Sequence, residues 1–80
     1  MKMEFKPSGV CSRKIDIEVN DEGIVESVQF SGGCSGNTQG VALLCKGMKK
    51  EEVIARLEGV RCGMKATSCP DQLAKALKQI

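Results

Sequence analysis

Arg13-Lys14-Ile15-Asp16-Ile17-Glu18-Val19-Asn20-Asp21-Glu22-Gly23-Ile24 is the stretch that decides the fold. Ile15, Ile17 and Val19 fall on one face of a period-two pattern and Lys14, Asp16 and Glu18 on the other, as in a strand with one buried side. Asn20 to Gly23 supply a turn, with Gly23 able to take the left-handed conformation a short hairpin loop needs. Ile24, Val28 and Phe30 continue the alternation on a return strand. Glu26 interrupts it, so the loop end of that strand is expected to be partly exposed. Upstream, a short edge strand around Phe5 breaks at Pro7 and Gly9, and Cys11 arrives at or just after a turn.

Downstream the period changes to that of helices. Ser35 or Asn37 can cap a first helix, with Val41, Leu44, Ala42 and Cys45 as its apolar residues and Gly47 as its end. A second helix spans residues 49–58, with Val53, Ile54 and Leu57 on one stripe and Gly59 as the stop. Met48 and Met64 read as core filler. The third helix begins at about Cys69 or Pro70. Ser68 three residues ahead of Asp71 forms a reduced capping box, Pro70 suits the first turn, and Leu73, Ala74 and Leu77 face the core. The expected fold is α+β, one domain over residues 1–80. A small antiparallel hairpin or three-stranded sheet is followed by three short helices packed on one face.

Composition narrows the function. Eighty residues with only two aromatic side chains, Phe5 and Phe30, build a small core that benefits from a staple. Twelve basic and ten acidic residues are interspersed and leave a net charge of +2, which offers no electrostatic surface for nucleic acid. Lys49-Lys50-Glu51-Glu52 reads as a solvated helix face. The chain contains no His, which removes mixed Cys/His zinc sites, nucleophile-His pairs and the commonest general base. The Gly32 to Asn37 loop lacks the Lys and the glycine spacing of a phosphate cradle, so nucleotide binding is not supported. No stretch near the N-terminus resembles a signal peptide, no run approaches a membrane span, and the cysteine count is odd. A cytoplasmic chain with reduced thiols and no membrane partner is the expectation.

Chemistry therefore rests on five cysteines. Cys69 opens a helix at the positive end of its dipole, a position that suits a sulfur ligand or nucleophile. Cys34 also precedes a helix start, beside glycines that permit an unusual backbone. Cys11 and Cys34 share with Cys69 a setting of Gly, Ser or Pro breaks. Cys62 fits packing and ligation equally. Cys45, inside Leu43-Leu44-Cys45, reads as a small buried hydrophobe, and Asp71 as a helix cap without a general acid or base role.

Gly9-Val10-Cys11-Ser12, Gly32-Gly33-Cys34-Ser35-Gly36-Asn37, Leu57-Glu58-Gly59-Val60-Arg61-Cys62 and Thr67-Ser68-Cys69-Pro70-Asp71 together resemble the TSCPD domain family in its small standalone four-cysteine form. The resemblance covers nearly the whole chain. It implies kinship with a C-terminal domain of vitamin B12-dependent ribonucleotide reductases, and standalone members often carry the label ribonucleoside-diphosphate reductase. It singles out Cys11, Cys34, Cys62 and Cys69 and leaves out Cys45. A more distant resemblance links Cys11, the hairpin, the Gly33-Cys34 turn, the Lys46-Gly47-Met48 helix break and Cys69 to iron-sulfur scaffold proteins of the IscU type. Arg13 and Ser68 stand where those scaffolds have an Asp and a His.

Four thiolates suit zinc, the first choice, or an iron-sulfur cluster. The quartet is spaced Cys11-x22-Cys34-x27-Cys62-x6-Cys69, without a C-x-x-C knuckle. The preferred expectation is a metal-binding module, not an enzyme on its own, with a protein partner such as a ribonucleotide reductase. A thiol-redox accessory using Cys62 and Cys69 is the first alternative, and a cluster scaffold or carrier the second.

Overall fold

The structure, a computed structural model, describes residues 1–10, 12–32, 35–61, 64 and 66–80, with the side chains of residues 35–37 outside that description. Three strands, β1 (Lys2–Phe5), β2 (Ser12–Val19) and β3 (Val25–Gly32), precede three helices, α1 (Ser35–Cys45), α2 (Lys50–Leu57) and α3 (Cys69–Leu77). The strands form one antiparallel sheet in the order β1-β2-β3. This is the α+β arrangement that the alternation and the helical periods imply, with β1 as the edge strand.

The inner face of the sheet is built in rows across the strands. Phe5, Ile15 and Phe30 stand in register, and so do Met3, Ile17 and Val28. Ile15, Ile17, Val19 and Val25 are buried and cluster with Cys45, Val53, Leu73, Ala76 and Leu77 from the helices. Each such aliphatic side chain contributes about 1.5–3 kcal/mol by leaving water. Helix α3 is the centre of this core, because Pro70 to Ala74, Ala76 and Leu77 are all buried.

Two bulges correct the simple alternation. Between Glu18 and Val19 the partners on β3 jump from Ser27 to Val25, so Glu26 is an extra residue. Val25, not Ile24, therefore enters the core. Ile24 instead bridges Lys49, while Val25 bonds both Gly47 and Met48, which ties the α1–α2 connector to the base of the hairpin. On β2, Ser12 and Lys14 pair with the consecutive residues Gly32 and Ser31, which makes Arg13 the second extra residue. The bulge leaves Arg13 exposed and turns Ser12 inward, to 3% exposure. The loop between the strands is an Asx turn: Asn20 Oδ1 accepts the N–H groups of Glu22 and Ile24 at 2.9 and 3.0 Å, and Gly23 takes φ +78°.

The helical stripes need two corrections. On α1 the buried positions are Thr38 and Cys45 with Val41 half-buried between them, an i, i+3, i+7 stripe. Leu44 lies to one side of that stripe and is 77% exposed, so it is not a core residue. Met64, in the connector before α3, is fully exposed, whereas Met48 packs against the core as expected. Val53, Ile54 and Leu57 face inward on α2, and Gly59 beyond it has φ +86°.

Leu73→Ala is expected to lower the unfolding free energy by about 2–5 kcal/mol, and Met64→Ala to change it by less than about 0.5 kcal/mol. Urea titration followed by circular dichroism reads both.

Candidate functional site

The first turn of α3 is a junction of hydrogen bonds, and every residue of Thr67-Ser68-Cys69-Pro70-Asp71 has a place in it. Ser68, extended at φ −152°, is the N-cap: its Oγ accepts the Asp71 N–H at 3.1 Å and donates to the carbonyl of Val60 at 2.6 Å. Pro70 occupies a first-turn position where no N–H is required. Asp71 is 4% exposed, and its two oxygens reach in different directions. Oδ1 accepts the Gly59 N–H at 2.7 Å, while Oδ2 accepts the Thr67 hydroxyl and lies 3.7 Å from Lys75 Nζ. The carboxylate thus does more than cap its own helix: it pins the end of α2 to the start of α3.

The Thr67 hydroxyl and the Gly59 N–H hold the Asp71 carboxyl below its ordinary range, with Lys75 adding to them and burial opposing. Such bonds to a charged group have a net worth of about 1.5–3 kcal/mol.

The same turn holds the loop before β2. Gln72, buried, donates through Nε2 to Thr67 Oγ1 at 2.9 Å and accepts the Ser8 N–H through Oε1 at 3.2 Å. Gly9 has φ +74°, a backbone that strains any side chain, and a Cβ there would stand a tight 3.2 Å from the Thr67 methyl. On the far side of Cys11, the Ser12 hydroxyl and the Cys69 sulfur are hydrogen-bonded at 3.1 Å, either able to donate.

Cys69 opens α3 as the sequence implies, and its side chain is half-buried. Cys45 is buried, and burial pushes its thiol up. The burial of Cys45 matches its reading as a packing residue. Cys11, Cys34 and Cys62 lie outside the described residues, as does the pairing of Cys62 with Cys69. Among the described residues no group of three or more His, Cys, Asp or Glu side chains could hold a metal, and no helix is long and apolar enough to cross a membrane.

A family model described as TSCPD domain matches residues 1–80, the whole chain. The chain belongs to the TSCPD domain family. Its defining pentapeptide is the junction just described. No curated protein and no solved structure matches the chain, so the resemblance to scaffolds of the IscU type gains no support there.

Ser12 and Gln72 are the site residues that sequence reading missed. A signal for Ser12 was present: Arg13 shares the inward phase of Ile15, Ile17 and Val19, and a charge in that phase marks a bulge. Gln72 carries none, because its partners lie in segments distant in sequence.

The Asp71 pKa lies below its unfolded value of about 3.9, so its stabilisation is complete at neutral pH and is lost as pH falls through the folded value. Asp71→Asn is expected to lower stability at pH 7 by about 1.5–3 kcal/mol. The difference from the parent protein should shrink below about pH 4. Urea midpoints of both proteins between neutral and acid pH measure it.

Proposed function

We propose that this TSCPD domain is a metal-binding module in which Cys11, Cys34, Cys62 and Cys69 are the ligands and zinc is the metal. The supporting observation is that chain segments next to the other three cysteines are all tied, directly or through one strand pair, to the turn that carries Cys69. Gly9, two residues before Cys11, packs on Thr67, and Ser12, one residue after it, bonds Cys69. Gly32, two residues before Cys34, is the sheet partner of Ser12. Val60, two residues before Cys62, accepts from Ser68.

The donor set agrees with the chemistry. In a chain without His, thiolates are the soft ligands on offer, and four of them satisfy a closed structural zinc site. The Ser12 hydroxyl beside Cys69 is the kind of outer-shell partner that orients a metal-bound sulfur. Bound zinc would join the sheet, the α2–α3 connector and α3, and structural zinc can contribute on the order of 10 kcal/mol to folding. An iron-sulfur cluster uses the same ligands. A protein partner such as a ribonucleotide reductase belongs to this proposal through the family resemblance, with the domain acting as a bound module and not as a free enzyme.

Protein purified without oxygen should carry one zinc per chain, lost in Cys11→Ala, Cys34→Ala, Cys62→Ala and Cys69→Ala and kept in Cys45→Ala. Iron with sulfide and broad visible absorption would move the assignment to a cluster carrier or scaffold. A folded chain that holds no metal, and loses two thiols reversibly on mild oxidation, would establish the redox pair Cys62 and Cys69 instead.

A further inference from the structure

Helix α1 carries no acidic or basic residue over its eleven positions. Surface helices ordinarily present charge to water, yet this one turns out Leu43 and Leu44 at 69% and 77% exposure. Leu44 also forms part of the wall of a groove of about 430 Å³ between α1 and α2, lined further by Val41, Cys45, Val53 and Leu57. On α2 the groove is bordered by Glu52 and Arg56, both exposed.

Glu52 and Arg56 stand four residues apart, on one side of the helix. A two-fold axis running outside α2 and perpendicular to it, level with the midpoint of the two, sets each residue against the opposite charge of a second copy, and the same rotation can bring Leu44 of each copy to the other's groove. A partner of single charge sign would meet a like charge at one of the two positions. A second copy meets none. The net charge of +2 adds little repulsion, and a chain of eighty residues gains from covering apolar surface by self-association.

The geometry points to a two-fold dimer through the α1–α2 face, with Leu44 as the apolar anchor and two reciprocal Glu52–Arg56 pairs setting the register. This interface does not depend on the metal reading and is tested apart from it.

Sedimentation equilibrium of the full chain, up to about 1 mM, is expected to show a monomer–dimer equilibrium. Leu44→Glu should weaken it at least about tenfold. Glu52→Arg alone and Arg56→Glu alone should each weaken it, and the double variant should restore the parent dissociation constant, because it inverts both members of each pair. Circular dichroism of every variant checks that the fold is intact. A chain that stays monomeric throughout, a dimer indifferent to Leu44→Glu, or a double variant as weak as the single ones would each overturn the proposal.

Discussion

A carboxylate that is buried can stay charged only where hydrogen bonds replace its water, and Asp71 is such a group. Its position in the first turn of α3 dictates what surrounds it. The Thr67 hydroxyl must point forward into the helix, and the Gly59 N–H must come from the end of α2. Gly59 can deliver that N–H because it adopts a left-handed backbone. Ser68 then repeats the link one residue away, through the carbonyl of Val60. The connector between α2 and α3 is held at both ends by this one turn.

The sheet meets the same turn from the other side. A bulge at Arg13 points Ser12 inward at the start of β2, and Gln72 anchors the loop that leads into that strand. Neither feature adds much apolar burial. Their effect is positional: they fix the start of β2 and the start of α3 against each other, where the Cys69 sulfur lies. The hydrophobic core of Ile15, Val25, Leu73 and Leu77 supplies the driving force, while the polar junction determines which ends of the elements meet.

The hairpin was legible because one-sided burial writes a period of two into the sequence, and α3 was legible from its cap, its proline and its apolar spacing. Cys45 could be separated from Cys69 by setting alone, one within an apolar run and the other at a helix mouth. Val25 was missed because a bulge changes the phase of a strand. Glu26, like Arg13, betrayed this as a charge among inward positions, and sequence reading took it for simple exposure. Leu44 and Met64 misled for a different reason: an apolar residue near a core stripe need not lie on it, and a small domain leaves apolar atoms outside. The reach of Asp71 to Gly59 and of Gln72 to Ser8 joins segments distant in the chain, and no local pattern encodes such contacts.

In the proposed metal centre this junction gathers four sulfurs around one ion. X-ray absorption at the metal edge of the purified domain tests it most directly, because it reads the identity of the ligand atoms. The expected result for zinc is a single shell of four sulfur scatterers at about 2.3 Å. A shell containing oxygen or nitrogen, or fewer than four sulfurs, would contradict it.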